Sequence, residues 1–172
     1  MTAATPQPEV WLRGPIPGVP TQLQPVAHAL LQAIEDAERL TADSNADDIW
    51  ADPGGSATIG FHLRHAARSL DRLLTYARGE GLSGEQRAAL AGEKEVTPEV
   101  TAAELLHDFR EAVERAIAQL RSTREEALDD PRAVGRAGYP STVRGLLYHA
   151  GEHTARHVGQ ISTTLKILSL DR

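Results

Sequence analysis

The chain has 172 residues and a formal net charge of −6 at pH 7, and it contains no cysteine. This length can bury a hydrophobic core without cross-links, while the absence of cysteine excludes disulfides and thiolate metal ligands. The acidic balance argues against binding to a nucleic-acid backbone, and no apolar run is long enough to span a membrane. We therefore expect a cytoplasmic protein with a single domain over residues 1–172 and no nucleic-acid or membrane partner.

The first 20 residues are rich in proline and glycine and predict an irregular arm. Proline fixes φ and lacks a backbone N–H, so this composition excludes a regular helix. Val10, Trp11 and Ile16 are nevertheless apolar, and we expect the arm to lie across the rest of the fold. A helical period then begins at Thr21, the expected N-cap, and predicts a first long helix over about 21–41.

The acidic stretch over residues 41–56 ends in a proline-glycine turn and predicts a loop. A second long helix is expected over about 57–78, with Ser56 or Thr58 as its N-cap. Ser83, followed three residues later by Gln86, has the pattern of a capping box. It predicts a short extra helix that ends near Gly92.

A third long helix is expected over about 99–125, opened by the segment Thr97-Pro98-Glu99. Glycine and proline over residues 128–140 predict a loop, and no strand is expected in it. The last long helix is expected over about 141–168, with Ser141 or Thr142 as its N-cap. The pattern thus predicts an all-α four-helix bundle with a proline-rich N-terminal arm and a short extra helix.

Three of the seven histidines stand four residues apart in the last predicted helix. Residues at this spacing lie one above the other on a helix surface. On a helical wheel, His157 falls within the apolar stripe, His153 lies about 40° further round, at the edge of the stripe, and His149 lies about 40° beyond His153, toward solvent. His153 and His157 are therefore the expected inward pair. Neutral imidazoles aimed at one point suit Zn²⁺, Ni²⁺ or Fe²⁺.

A third imidazole is expected from the second long helix, which contains His62 and His65. His62 lies about 55° from the centre of the apolar stripe and His65 about 115° from it. Periodicity alone therefore favours His62. His28 and His107 lie away from the apolar faces of their helices. His28 is expected to be a solvated or capping-level residue, and His107 a surface residue.

Two segments together resemble the DinB/YfiT-like family of metal-dependent enzymes. They are Gly60-Phe61-His62-Leu63-Arg64-His65-Ala66-Ala67-Arg68-Ser69 and His153-Thr154-Ala155-Arg156-His157-Val158-Gly159-Gln160-Ile161. The resemblance implies a four-helix bundle with one divalent metal held by three histidines, which fall on His65, His153 and His157. His62 is kept as an alternative ligand or a residue that lines the pocket. Some relatives have an acidic residue shortly after the histidine of the second helix, where this chain has Ala67 and Arg68.

The resemblance also implies two kinds of chemistry on a small-molecule substrate. One is S-transfer or isomerisation with a low-molecular-weight thiol such as bacillithiol or mycothiol, as in thiol S-transferases and maleylpyruvate isomerases, in stress response or detoxification. The other is metal-dependent hydrolysis. The sequence favours thiol transfer, because hydrolysis requires a general base and the histidine motif carries no carboxylate like that of H-E-x-x-H. Arg64, Arg68, Arg144 and Arg156 are candidates for binding a carboxylated thiol. The alternative is a non-enzymatic, stress-associated bundle, and a homodimer is expected in either case.

Overall fold

The structure is a computed structural model and describes residues 7–170. Six α-helices lie within this range: α1 (Gln24–Thr41), α2 (Ala46–Trp50), α3 (Ile59–Ala77), α4 (Gly84–Ala91), α5 (Ala102–Ser122) and α6 (Val143–Leu170). An antiparallel hairpin, β1 (Pro131–Val134) and β2 (Tyr139–Thr142), precedes α6. Single 3₁₀ turns cover Val10–Arg13, Thr21–Leu23 and Glu125–Ala127. Residues 1–6 of the expected arm lie outside the described residues.

The four long helices α1, α3, α5 and α6 pack around a common core. Helix α3 lies against both α5 and α6, and α1 contacts the same two helices. Apolar side chains at helical spacing line the core, and among the largest that are fully buried are Leu30, Leu63, Phe109, Leu147 and Ile161. The expected all-α four-helix bundle is confirmed. No helix of residues 7–170 combines the length and apolar character needed to cross a bilayer.

Residues 7–20 of the N-terminal arm lie along α1. Val10 is buried, the Gln24 side chain bonds the backbone of Ile16, and His28 Nε2 lies 3.0 Å from the carbonyl oxygen of Gly14. The prediction that Thr21 is the N-cap of the first long helix was wrong, however. Thr21 begins a 3₁₀ turn and α1 starts at Gln24, with Pro25 in its first turn.

Helix α5 also starts later than the sequence predicted. Its N-cap is Thr101, whose hydroxyl accepts from Glu104 N–H while the Glu104 carboxylate accepts from Thr101 N–H. This reciprocal pair satisfies two backbone donors and defines the helix start. Thr97 instead belongs to a preceding turn, in which Val100 N–H donates to its carbonyl oxygen. The expected caps Thr58 and Ser83 are both observed.

Two segments expected to be loops contain secondary structure. The first contains α2, which has a capping box of Asn45 and Asp48 and buries Trp50. The second contains the β1–β2 hairpin, so the expectation of no strand was wrong there. Gly135 and Gly138, with φ of 69° and 65°, close its turn in a conformation that other residues rarely adopt.

Candidate metal centre

The imidazoles of His65, His153 and His157 come together between α3 and α6. Each ring offers one nitrogen, and these nitrogens all lie within 4.8 Å of one another. The Nε2 atoms of His65 and His153 are 2.9 Å apart. The centroid of the His157 ring lies 4.3 Å from that of His65 and 4.6 Å from that of His153. With metal–nitrogen bonds of about 2.0–2.1 Å, three donors at this separation can approach one ion.

Helix α6 brings two of these rings together through its own geometry. His153 and His157 are four residues apart, so their side chains stack on one face of the helix. His149, one turn earlier, is exposed and pairs with Glu152 at 3.2 Å. Both placements agree with the helical wheel, on which His149 pointed toward solvent.

Helix α3 contributes His65 to the cluster and places His62 beside it. His62 is the more buried of the two, as the wheel predicted, with 7% of its surface exposed. Its Nδ1 lies 3.0 Å from Nδ1 of His157, so it contacts the cluster through that ring. His62 therefore lies within hydrogen-bond distance of one cluster member, whereas His65 is a member itself. Which of the two binds metal stays a prediction.

Glu93 holds His65 in place, a role that no sequence pattern predicted. It follows α4 and is 4% exposed. One of its oxygens lies 2.8 Å from His65 Nδ1, and the Arg72 guanidinium donates to both oxygens at 2.9 and 3.2 Å. An ionised carboxylate can only accept, so Nδ1 of His65 carries the proton. The lone pair of His65 is then on Nε2, the atom that faces His153.

The pKa of Glu93 supports this assignment. Burial alone would raise it, but hydrogen bonds from His65 and Arg72 outweigh that effect and lower the pKa below its usual value. Glu93 is therefore ionised at neutral pH. It provides the acidic support that Ala67 and Arg68 cannot provide at their positions.

Comparison with known proteins identifies the family. A family model described as the DinB superfamily matches residues 3–161. The chain belongs to the DinB superfamily. A solved structure described as a conserved protein from Enterococcus faecalis is similar to it, with a TM-score of 0.68 and 17% identity over 83% of this chain and 94% of that chain. That likeness supports the fold alone. No curated protein matches the sequence.

In this DinB protein the imidazoles of His153 and His157 remain neutral well below pH 7. Burial, together with the neighbouring His65, lowers the pKa of His153 to about 4 and that of His157 to about 3. Burial also lowers the pKa of His62. Neutral rings keep a lone pair available, so His153 and His157 have the protonation state that metal ligands require.

One of the four candidate arginines lies against the cluster. Arg156 has a guanidinium nitrogen 3.3 Å from His153 Nδ1 and 2.9 Å from Glu152. Arg144 pairs with Asp129, and Arg68 donates to the carbonyl oxygen of Ala89.

Arg64 is buried, and its guanidinium is engaged by other parts of the chain. It is 7% exposed and donates to the Glu95 carbonyl oxygen and the Thr97 hydroxyl, with its guanidinium 4.7 Å from the centre of the Trp50 ring. These contacts tie the segment after α4 to α3. His107 is exposed and pairs with Glu111, as expected of a surface residue.

Proposed function

We propose that this chain is a metal-dependent enzyme in which His65, His153 and His157 bind one divalent ion. We further propose that it transfers a low-molecular-weight thiol to an electrophilic small molecule. The observation that carries this proposal is the convergence of three imidazoles, one from α3 and two from α6. Three protein ligands leave a coordination position vacant, which is typical of catalytic rather than structural sites.

The donor set fits a divalent transition metal. Imidazole nitrogens accept zinc, nickel and iron alike, so the proposal covers all three. Glu93 fixes the tautomer of His65, a support that usually accompanies metal-binding histidines. When bound, the ion would act as a Lewis acid that favours the thiolate form of a thiol at neutral pH.

The surroundings of the cluster favour thiol transfer over hydrolysis. A hydrolase that activates water through a carboxylate needs one that is free to take a proton. Both oxygens of Glu93 are engaged by His65 and Arg72, and one oxygen of Glu152 accepts from His149 and Arg156. A thiol that reacts as thiolate needs no such base. Its sulfur bonds to the electrophilic carbon, and the leaving group departs with its electron pair.

The test combines metal analysis with a thiol-transfer assay on protein purified without an affinity tag. We expect about one divalent ion per chain by elemental analysis. Monochlorobimane should be consumed faster than the uncatalysed rate only when metal and a suitable thiol are both present, with bacillithiol, mycothiol, glutathione and cysteine as the thiols compared. EDTA should abolish the acceleration.

Other outcomes of this assay would contradict the proposal. Turnover of ester or amide substrates without any thiol would identify a hydrolase. Bound metal without turnover of either substrate class, together with a lower melting temperature for His153→Ala, would indicate a non-enzymatic bundle with a structural ion.

The homodimer and a role in detoxification in the cytoplasm belong to the same proposal. Trp11 and Leu12 on the arm are 60% and 56% exposed, and large exposed apolar side chains are typical of contact surfaces. Light scattering coupled to gel filtration should give about twice the chain mass. A monomeric mass at micromolar concentration would contradict the dimer and leave the metal proposal unaffected.

A further inference from the structure

A cavity of about 480 Å³ lies beside the histidine cluster. Phe61 connects the cavity with the cluster. Its side chain lines the cavity, and its ring stacks on that of His65, with the ring centroids 5.3 Å apart and the ring planes at an angle of 17°. The volume falls within the range of about 300–1,000 Å³ that is usual for small-molecule sites. Phe61 is thus the side chain that connects a molecule bound there with the histidine cluster.

The apolar part of the cavity is formed by Trp50, Phe61 and Val96. Trp50 is held firmly, because its indole N–H donates to the Val100 carbonyl oxygen at 2.8 Å and Arg64 covers its ring. Val96 is 55% exposed, so an apolar ligand would shield it from water. Together, Trp50, Phe61 and Val96 favour a ligand with an apolar body about the size of a ring.

The polar part of the cavity contains one lysine, Lys94, and one carboxylate, Asp52. Lys94 lines it and makes no hydrogen bond or ion pair with any of residues 7–170. Asp52 also lines it, but one of its carboxylate oxygens already accepts from the backbone N–H of Gly55 at 2.6 Å. Thr58, the N-cap of α3, adds the positive end of a helix dipole to the same wall.

We propose that this cavity binds a small organic anion with an apolar, ring-sized body, and that Lys94 pairs with its acid group. That this anion is the substrate rests on the proposed metal centre. The chain itself links the two sites, because Lys94 directly follows Glu93, which holds His65. The residue that pairs with the anion would thus be adjacent in sequence to the residue that orients His65.

Binding can be measured without any metal, using the fluorescence of Trp50. The chain has two tryptophans, so Trp11→Phe leaves Trp50 as the sole reporter. EDTA-treated protein is titrated with three probes of similar shape: phenylacetate, phenylacetamide and phenethylamine. We expect a saturable change with phenylacetate, about threefold to fivefold tighter than with phenylacetamide, as for one exposed ion pair. Phenethylamine should bind most weakly.

Two variants in this background test the role of Lys94. Lys94→Ala should remove the preference for phenylacetate, whereas Lys166→Ala, which removes the only other lysine, should preserve it. Asp52→Asn should strengthen phenylacetate binding, since it removes a negative charge from the cavity. Equal binding of acid and amide, tighter binding of phenethylamine, or an unchanged preference in Lys94→Ala would overturn the proposal.

The link to the metal centre has a separate readout. In protein loaded with Co²⁺, phenylacetate should change the visible absorption of the ion, and Lys94→Ala should need about threefold to fivefold more probe for the same change. Binding without any spectral change would overturn the assignment as substrate site. Failure to load Co²⁺ would count against the proposed function, while the titration of metal-free protein would stand independently.

Discussion

The two helices that carry the histidine cluster support their imidazoles in different ways. Helix α6 places His153 and His157 side by side through its own repeat, and both rings are partly exposed. Helix α3 contributes His65, which is held from outside by Glu93 and, through Glu93, by Arg72. The α6 pair therefore depends on local geometry, and the α3 histidine depends on a contact between distant parts of the chain.

This difference predicts where the site is rigid and where it can adjust. Glu93 and Arg72 are 4% and 9% exposed, so their ion pair is shielded from solvent and fixes the ring of His65. The neighbour of His153 is Arg156, whose exposed side chain also pairs with Glu152. We expect α6 to be the more adjustable half of the site when an ion binds.

The largest effect is expected from removing a member of the cluster. His65→Ala, His153→Ala and His157→Ala should each weaken divalent metal binding by more than about 100-fold, since loss of a ligand should exceed the effect of losing its support. Elemental analysis of untagged protein and competition with a chelator would measure this. His149→Ala, which changes an exposed histidine of the same helix, is the control and should retain the metal. Retention in His65→Ala with loss in His62→Ala would assign His62 as the ligand.

A somewhat smaller effect is expected when the support of His65 is weakened. Glu93→Gln keeps the shape but removes the charge, and should lower metal affinity about 10-fold to 100-fold. Glu95→Gln removes an exposed carboxylate from the same segment and should leave the affinity unchanged. If Glu93→Gln lowered the melting temperature but not the affinity, Glu93 would be purely structural and the contrast between the helices would disappear.

The stability of the metal-free protein should depend on pH through the cluster. The pKa values of His153 and His157 are lowered to about 4 and about 3, against 6.5 for an unperturbed histidine. Between pH 6.5 and pH 3 the unfolded chain therefore binds more protons than the folded chain does. The free energy of unfolding falls as the pH decreases through this range. Melting temperatures of EDTA-treated protein between pH 8 and pH 4 would measure it. His157→Gln should show a shallower decrease, and an equal slope would contradict this origin.

The smallest effect is expected away from the cluster. Thr101→Ala removes the side-chain cap of α5 and should lower the free energy of unfolding by about 1 kcal/mol. Because α5 contributes no histidine to the cluster, metal content should not change. Urea denaturation and elemental analysis of the same sample would check both statements, and lost metal would mean that the site depends on the whole bundle.

The part of the site that sequence could predict is the part built by local repeats. The spacing of His153 and His157 and the apolar stripe of the last helix were enough to place that pair. Periodicity favoured His62 on α3, and the structure does bury His62 more deeply, yet His65 is the ring that joins the cluster. A helical wheel shows which residues face the apolar core. This cluster lies at the edge of the α3–α6 interface, so the residue that faces the core most directly is not the one that joins it.

Glu93 could not be predicted in the same way. It lies 28 positions after His65 in a segment without periodicity, and its role depends on how the chain returns after α4. The hairpin was missed for a related reason, because two four-residue strands give too short a pattern to distinguish from a loop. The bundle was predictable because each long helix repeats its apolar face many times.

Gly60 has a consequence for how this protein can vary. A Cβ atom at this position would lie 2.6 Å from the Trp50 ring, so the indole packs directly on the bare backbone of α3. A larger residue at position 60 and tryptophan at position 50 are thus mutually exclusive in this arrangement. The two positions should change together among homologues, and a natural replacement at one would report a reshaped pocket at the other.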